Sequence, residues 1–536
     1  MRLKGVIKPL EENESFKRLM SDIEAKKVVE VEGLSDSSRS YLISCLYENN
    51  DKSIAIITNS DVEAKNIYED LNFFCNNVYY FPSKEIVFYN LDAISGDLRW
   101  ERLKVIKEIL SKKKNIVVLS VENLTASLTP KRLFKKHQIS LRVSQEVELK
   151  KVASLLIESG YTRVGEVEGK GEFALRGGIL DVYPVDSLCP YRVELFGDEI
   201  ESIRSFNTMS QRSIEKVKSI NIFPAKEVIL EQSIVQDAID RILAESKQVI
   251  DGTKDKEKIS RVKRIVNNNI EMLRETGKFE TIDSYLPFFY QECESLFDYL
   301  EDYLFIVDNE TRVLGKIDST YLEFNENYSV FLERGDILLS QSKLMIDKEV
   351  MLSKLSKKTS ILLENIGYKH TLINCDDSIT LIGSNINNYK GQLDYLLDDI
   401  LVKKNEMYKI LILSGTRARG ERFVKTLRDI GIVSVYKEKI DNIDDGQVVV
   451  TFGNLLHGFD CKETKTYVIS DKEVFGEAKR KLTKSKKNKK GVSKINSFSD
   501  LKPGDYVVHV NHGIGVYKGI KQIEVGGSKR DYRYCL

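Results

Sequence analysis

The chain has 536 residues, which at roughly 150 residues per domain predicts three or four domains, each large enough to bury its own core. Its 82 Lys and Arg almost balance its 81 Asp and Glu, and 42% of its residues are apolar, which excludes a disordered chain and a uniformly basic nucleic-acid coat. No apolar run approaches the roughly 18 residues of a membrane helix, and the first ten residues lack a signal-peptide core, so we expect a cytoplasmic protein.

The first 120 residues alternate between apolar strands and helical patterns. Strands are predicted at residues 28–31, 53–57 and 115–119, and Ser60 and Glu63 have the capping-box spacing at the start of the helix after the second strand. Strand–helix–strand order at this spacing predicts a parallel sheet with crossover helices. Such a sheet places ligand sites at the carboxyl ends of its strands.

The first predicted strand runs into a loop with the frame of a phosphate-binding loop, G-x-x-x-x-G-K-[ST]. Gly33 and Ser40 occupy the first and last defining positions, but Ser38 and Arg39 replace the second glycine and the lysine. A serine disfavours the positive φ with which amides surround a phosphate, and a guanidinium does not replace the compact ammonium. The residues alone leave open an ordinary turn, a decayed nucleotide site and a working one, in which Ser40 could still meet magnesium.

A second near match to the same motif occupies residues 415–422 and follows a strand predicted at 409–413. Glu421 and Arg422 stand there where Lys and Ser or Thr are needed. Because a carboxylate facing a phosphate repels it, we do not expect a nucleotide at this loop.

From about residue 141 the pattern changes to short strands separated by glycine turns. Residues 171–184 alternate around a glycine pair, and residues 191–196 and 199–203 flank a two-residue Gly-Asp turn. This pattern predicts a small antiparallel module, on whose surface Arg176 and Arg192 could simply be solvated.

The remaining chain is less distinctive. Residues 233–277 and 281–303 are mostly helical by pattern, strands are predicted to follow through about residue 339, and residues 383–470 have an α/β pattern with no catalytic motif. Residues 479–490 hold eight basic residues in twelve, which predicts a solvated linker that could also touch DNA phosphates.

No metal site or disulfide is expected. The seven cysteines lie far apart without a Cys-x-x-Cys pair, which favours reduced structural thiols. His509 and His512 lie three residues apart, but no Cys or carboxylate stands at ligand spacing beside them.

Two long motifs resemble a known family. The run FALRGGILDVYP at residues 173–184, followed by PYRVELF at 190–196 and by Gln211 and Arg212, resembles the second domain of UvrB-type proteins and of bacterial transcription-repair coupling factors. Residues 503–517 and 526–532 resemble the opening of the RNA-polymerase-interacting module of the coupling factors, which UvrB lacks. Segments at 81–85 and 95–103 fit the same family. The chain is therefore identified as similar to the N-terminal half of a coupling factor.

The resemblance implies an α/β multidomain fold. It comprises a RecA/UvrB-like parallel-sheet domain with an inserted antiparallel β-rich domain, a second small α/β domain and a partial, Tudor-like β module at the C-terminus. The implied segments are 1–125 (UvrB-like domain 1a), 126–215 (UvrB-like domain 2), 216–345 (UvrB-like domain 1b), 346–475 (domain 3), 476–497 (basic linker) and 498–536 (start of the polymerase-interacting module).

The resemblance also assigns site residues. Arg176, Arg192 and Phe196 match the family's surface for UvrA, where planar guanidinium forks pair with carboxylates around an aromatic anchor. Ile523 matches the expected contact with the β subunit of RNA polymerase. The degenerate nucleotide site would comprise Gly33, Ser38, Arg39, Ser40 and, as the Walker B carboxylate, Asp308.

The implied function is that of an adaptor in transcription-coupled nucleotide excision repair, which recruits UvrA to RNA polymerase stalled at DNA lesions. The family's motor, a superfamily 2 DNA translocase that uses ATP and Mg²⁺ to release the polymerase, is expected outside this chain. We therefore expect no catalytic residue and no cofactor here. About fifteen residues link Phe81 to Asp97, too few for the aromatic hairpin with which UvrB holds damaged DNA. An active UvrB-like ATPase/helicase and a scaffold that binds neither protein remain open alternatives.

Overall fold

The computed structural model of the chain describes residues 3–84, 86, 88, 96–279, 281–367, 372–475, 506–509, 513–525 and 528–535. These residues fall into two compact units, Met1–Gly476 and Glu477–Leu536. The predicted basic run at 479–490, His370 and His512 lie outside the described residues.

The first unit contains helices of very different length. Two short 3₁₀ helices span Ile282–Tyr285 and Leu339–Leu344. The α-helices are α1 (Lys4–Glu11), α2 (Glu14–Glu24), α3 (Asp36–Asn49), α4 (Asp61–Phe74), α5 (Gly96–Leu110), α6 (Glu122–Thr125), α7 (Lys131–Lys136), α8 (Leu149–Glu158), α9 (Gln232–Asp251), α10 (Lys256–Thr276), α11 (Leu286–Phe289), α12 (Leu296–Tyr299), α13 (Glu310–Arg334), α14 (Lys348–Lys358), α15 (Leu393–Asn405), α16 (Arg417–Asp429) and α17 (Asp471–Phe475).

The strands of the first unit form one large and several small sheets. They are β1 (Val29–Leu34), β2 (Ile54–Thr58), β3 (Val78–Phe81), β4 (Ile116–Ser120), β5 (Ser127–Leu128), β6 (Ile139–Arg142), β7 (Thr162–Arg163), β8 (Glu172–Arg176), β9 (Ile179–Val182), β10 (Tyr191–Phe196), β11 (Glu199–Phe206), β12 (Ser213–Val217), β13 (Ser219–Ile222), β14 (Glu294–Ser295), β15 (Leu304–Asp308), β16 (Thr359–Glu364), β17 (Asp377–Asn385), β18 (Lys409–Ser414), β19 (Ser434–Tyr436), β20 (Val448–Phe452), β21 (Phe459–Cys461) and β22 (Thr466–Ile469).

A twelve-stranded sheet in the order β19-β20-β18-β22-β21-β17-β1-β16-β15-β2-β4-β3 forms the backbone of the first unit. All its pairs are parallel except those of β21, which runs antiparallel to β17 and β22. Strands β2 and β4 are buried along their whole length, because helices cover both faces of the sheet. The predicted parallel α/β architecture is confirmed.

One apolar core crosses the boundary predicted at residue 346. The ring of Tyr41 on α3 stacks on Phe459 of β21 with centroids 5.2 Å apart, and Leu411 and Val449 belong to the same buried cluster. Strands β16 and β17 also flank β1 in the large sheet. The sheet is therefore continuous through the predicted domain 3, whose boundaries stay a prediction.

A six-stranded sheet in the order β12-β11-β10-β9-β8-β7 is inserted between β6 and β13, which pair with each other in a separate two-stranded sheet. Its strands are antiparallel except for the β7–β8 pair. The predicted hairpin of β10 and β11 is present, with Phe196 opposite Glu199. The inserted antiparallel module is thus confirmed.

The helical pattern of residues 233–277 is confirmed by α9 and α10. Residues 281–303 are helical only in short segments, which are the 3₁₀ helix Ile282–Tyr285, α11 and α12, with β14 between α11 and α12. The strands predicted from residue 304 to about 339 are wrong after β15, because α13 occupies Glu310–Arg334.

The second unit contains a three-stranded antiparallel sheet of β23 (Tyr506–His509), β24 (Gly513–Val525) and β25 (Ser528–Cys535). Ile523 lies on β24 opposite Arg530 of β25. In the described part of the chain, no helix is long and apolar enough to cross a membrane. The six cysteines whose side chains are described are all free thiols.

Candidate functional site

The loop after β1 lies at the carboxyl end of a central strand, where the sequence places its phosphate-loop frame. Gly33 has φ +91°, and a Cβ at this position would lie 2.8 Å from the carbonyl oxygen of Leu381. Strand β17 therefore packs directly on the loop, and only glycine allows this approach.

Two serines of the loop bond to one another and to β17. The Ser38 hydroxyl donates to the Ser35 carbonyl at 2.6 Å and accepts from the Ser35 amide at 2.9 Å, which caps α3. The Ser35 amide and hydroxyl also donate to the Gly383 carbonyl, at 3.0 Å and 2.8 Å. The Ser35 amide and both hydroxyls are thus engaged within the protein.

Arg39, in the position of the phosphate-loop lysine, is held by an internal carboxylate. Its guanidinium bonds to Asp308 at the end of β15, to the Leu34 carbonyl at 3.0 Å and to Asn365 at 3.1 Å. The two side chains of the Arg39–Asp308 pair are only 13% and 11% exposed. Burial raises the pKa of Asp308, and the Arg39 guanidinium opposes that rise. The structure thus brings together Arg39 and Asp308, which are 269 residues apart.

Two further side chains shape this loop. Ser40 is completely buried, and its hydroxyl has no hydrogen-bond partner among the described residues. The carboxylate of Asp36, at the start of α3, accepts a hydrogen bond of 2.5 Å from the Asn385 side chain. The loop therefore carries a carboxylate of its own beside its amides.

In the loop at residues 415–422, an aspartate from another part of the chain again binds an arginine. Asp471, beyond β22, accepts the Gly415 amide at 2.8 Å and the Arg419 guanidinium at 3.0 Å. An internal carboxylate thus lies against the amide at which an anion would be bound.

The second candidate site is the outer face of the six-stranded sheet. Phe173, Leu180 and Val193 point to the opposite face and belong to the main apolar core. Because side chains alternate along a strand, Arg176 on β8 and Arg192 and Phe196 on β10 share the outer face. Register confirms this placement, since Ile179 of β9 lies opposite Arg176 of β8 and also opposite Glu194 of β10.

Phe196 and Arg176 are open to solvent. Phe196 is 83% exposed and is the last residue of β10 before the hairpin turn, where Gly197 has φ +64°. Arg176 is exposed, and its guanidinium has no ion-pair or hydrogen-bond partner within the described ranges. An exposed aromatic ring and an unpaired guanidinium on one face of a sheet are typical of a protein-binding surface.

Arg192 is held in place rather than free. Its guanidinium bonds Asp181 of β9 in bidentate fashion, at 2.7 Å and 2.8 Å, and donates to the Gln211 side chain at 3.2 Å. It also lies 4.8 Å from the centroid of the Phe206 ring. The hydrogen bond to Asp181 raises the pKa of Arg192. Sequence reasoning missed Asp181, although its register position opposite Arg192 in a predicted hairpin could have revealed it.

Two family models match the chain. Residues 139–228 match the UvrB interaction domain, and residues 501–533 match the CarD-like/TRCF RID domain. The first match contains the whole six-stranded sheet, including Arg176, Arg192 and Phe196.

Curated relatives match almost the whole chain. A transcription-repair-coupling factor of Bacillus subtilis (strain 168) is 32% identical over 532 residues, which are 98% of this chain and 44% of that protein. The coupling factor of Staphylococcus haemolyticus (strain JCSC1435) is 29% identical, over 99% of this chain and 45% of that protein. The predicted resemblance to the coupling factors is confirmed, and the chain spans less than half the length of these relatives.

The similarity of this chain to solved structures is low. The structure of S. tokodaii Xpd4 is 13% identical and covers 82% of this chain and 80% of its own, with a TM-score of 0.20.

Proposed function

We propose that this chain acts as the adaptor part of a transcription-repair coupling factor and recruits UvrA through the outer face of its six-stranded sheet. The observation that carries the proposal is the exposure of Phe196 and Arg176 on the same face of the sheet, within the segment that matches the UvrB interaction domain. The function is transcription-coupled nucleotide excision repair, in which UvrA is brought to RNA polymerase stalled at a DNA lesion.

The three residues would have different tasks in the interface. Phe196 supplies an aromatic anchor whose burial against UvrA removes a large apolar area from water. Arg176 offers a free planar fork for a carboxylate of the partner. Arg192 positions the surface, because its fork already bonds Asp181 and only 21% of its side chain is exposed.

In this proposal, the second unit would contact RNA polymerase and the basic linker would contact DNA. The three-stranded sheet would belong to a Tudor-like module that binds the β subunit of RNA polymerase, with Ile523 on β24 as a contact. The basic run at residues 479–490 would bind DNA phosphates once the full-length protein sits on a duplex. The ATP- and Mg²⁺-dependent motor would lie outside this chain.

We further propose that this chain is not an ATPase. The Arg39–Asp308 pair, the Gly383 carbonyl on the Ser35 amide and the Asp36 carboxylate all support a loop after β1 that does not accept a triphosphate. A phosphate there would have to displace β17 and break a largely buried ion pair. The alternative of an active UvrB-like ATPase/helicase predicts saturable ATP binding that Arg39→Ala abolishes.

Calorimetric titration with purified UvrA, with and without ATP, tests the adaptor proposal. Phe196→Ala and Arg176→Glu should each weaken binding at least about tenfold, since each removes or reverses a central contact. Val433→Ala is the matched control, because Val433 is 75% exposed but lies outside the six-stranded sheet. Unchanged affinity in both Phe196 and Arg176 variants, or no binding by the unmodified chain, would contradict the proposal.

The role of Arg192 has to be tested with a double variant that also changes Asp181. Arg192→Ala would leave the buried Asp181 carboxylate unpaired, so lost binding could reflect a damaged sheet. Arg192→Gln combined with Asp181→Asn keeps a neutral hydrogen-bonded pair. We expect this double variant to retain its circular dichroism and to lose less UvrA affinity than Arg176→Glu.

A further inference from the structure

A cavity of about 690 Å³ opens on the first unit, and none of its lining residues belongs to the sites described above. It lies between the start of α5, the turn before β7, the segment after β13 and the end of α10. Its volume is within the range of small-molecule sites, about 300–1,000 Å³.

Positive charge predominates in this cavity. Its lining contains two carboxylates, Glu227 and Asp283, and five cationic side chains, which are Lys84, Arg99, Lys170, Lys226 and Lys278. Glu227 is bound by Arg102 at 2.9 Å, and Asp283 by Lys84 at 2.7 Å. Although burial alone would raise it, the charges of Arg102 and Lys84 lower the pKa of Glu227 to about 2. Both carboxylates are therefore already neutralised.

Lys226 is a half-buried cation in the wall of this cavity. It has no carboxylate within 4.0 Å and no hydrogen-bond acceptor among the described residues. A Cβ on Gly160 would lie 2.6 Å from its Cγ, so its stem packs tightly against the backbone. Burial and the neighbouring Lys278 lower the pKa of Lys226 to about 8, while Glu158 acts in the opposite direction. The half-buried ammonium thus has no carboxylate as a counter-ion within the described residues.

The neighbouring lysines bond only to neutral groups. Lys170 donates to the Val185 carbonyl at 2.9 Å, and Lys278 donates to the Thr162 hydroxyl at 3.2 Å. Neither partner cancels the positive charge. An anionic ligand could therefore meet several cations at once.

The cavity also has an aromatic and apolar wall. Trp100 at the start of α5 is half-buried and lines the cavity together with Met272 and Phe279. An indole ring beside a cluster of cations is the combination with which proteins bind a base and its phosphate together.

We propose that this cavity binds a nucleoside phosphate, with Lys226 and Lys278 on the phosphate and Trp100 on the base. The nucleotide could be free or part of a single-stranded nucleic acid, because both present the same chemistry. The site is separate from the loop after β1, so the proposal does not depend on nucleotide binding there.

The fluorescence of Trp100 provides a direct test, because Trp100 is the chain's one tryptophan. The whole chain is titrated at low salt with ADP, with a five-nucleotide thymidylate and with inorganic pyrophosphate. We expect saturable quenching by ADP or by the oligonucleotide, weakened by added salt. Quenching by both identifies a site for free nucleotides, and quenching by the oligonucleotide alone identifies a single-strand site.

Variants test whether the ligand that quenches the fluorescence of Trp100 binds in this cavity. Lys226→Met and Lys278→Gln should each raise the dissociation constant at least about tenfold, because each removes a charge-assisted contact. Lys425→Met, on the exposed face of α16, should not change it. Lys226→Met removes a half-buried charge that has no carboxylate partner among the described residues, so its thermal unfolding should occur no earlier than that of the parent. No saturable quenching, equal affinities in parent and Lys226→Met, or pyrophosphate binding as tightly as ADP would overturn the proposal.

Discussion

At the scale of single residues, internal aspartates hold arginines in both phosphate-loop-like segments and on the outer face of the six-stranded sheet. Asp308 binds Arg39, Asp471 binds Arg419, and Asp181 binds Arg192. In the large sheet this follows from topology, since the carboxyl ends of parallel strands meet at one edge. In the inserted module it follows from cross-strand register. An arginine in a binding motif can therefore be assigned to ligand binding only when the carboxylates around it are known.

Asp70 is a buried residue whose charge is unfavourable. It is 3% exposed, accepts hydrogen bonds from the Ser37 hydroxyl at 2.6 Å and the Leu456 amide at 2.7 Å, and ties α4 to α3 and to the segment before β21. Burial, opposed by these hydrogen bonds, raises its pKa from 3.8 to about 6. The folded protein therefore binds this proton more tightly than the unfolded chain does.

We predict a pH-dependent gain in stability for Asp70→Asn. Because the folded pKa is the higher one, the contribution of Asp70 to stability falls as pH rises from about 4 to about 6, by up to about 3 kcal/mol in total. Relative to the parent, Asp70→Asn should thus be more favourable at pH 7.5 than at pH 4.5, as measured by urea unfolding. The exposed Asp251→Asn is the control. A parent–variant difference that stays constant over this range would contradict the prediction.

At the scale of elements, α13 shows how a local pattern was misread. Val313, Ile317, Tyr321 and Phe324 are its buried apolar residues, spaced three or four apart as on one face of a helix. The strands predicted up to about residue 339 are wrong here, because this spacing indicates a helix. Asn309 begins the helix, because its side chain accepts the Arg312 amide at 3.0 Å.

The start of α13 gives a prediction about Asn309. Its φ of +62° lies in the left-handed region, which Asn tolerates and Ala does not. Asn309→Ala should destabilise the protein by about 2–3 kcal/mol, the sum of a lost cap of about 1 and a backbone strain of about 1–2. Asn309→Gly keeps the backbone unstrained and should destabilise it by less than about 1 kcal/mol. Equal unfolding midpoints for the two variants would show that the backbone conformation contributes nothing.

At the scale of the whole molecule, the large sheet is assembled from distant parts of the chain. Strand β1 pairs with β16 on one side and β17 on the other, and both come more than 320 residues later. The first strand of the fold thus has no neighbour until the later segments have been made.

Because β1 depends on β16 and β17 for its pairing, the behaviour of truncated chains can be predicted. A chain ending at residue 345 lacks β16 and β17, so β1 and β15 would expose open edges and their apolar faces. We expect it to aggregate or to show no hydrogen-exchange protection at the β1 amides, whereas a chain ending at residue 475 should protect them. A monomeric 1–345 chain with protected β1 amides would instead support the boundary predicted at residue 346.

The sequence by itself determined those features that depend on neighbours along the chain. Alternation placed the hairpin of β10 and β11, apolar runs placed β2, β4 and β15, and two long motifs carried the resemblance that the curated relatives confirm. The alternation and the apolar runs arise within a few residues, because side-chain direction repeats every two residues in a strand and every 3.6 residues in a helix.

Only the tertiary structure decided which residues meet across the sheet. The resemblance placed Arg39 and Asp308 in one degenerate site, and the fold shows that the two form an ion pair. The residues alone left Arg192 solvated, whereas Asp181 holds it. The physical reason is that strand order and register set these contacts, through the burial of apolar faces hundreds of residues apart. A local period carries no information about that order.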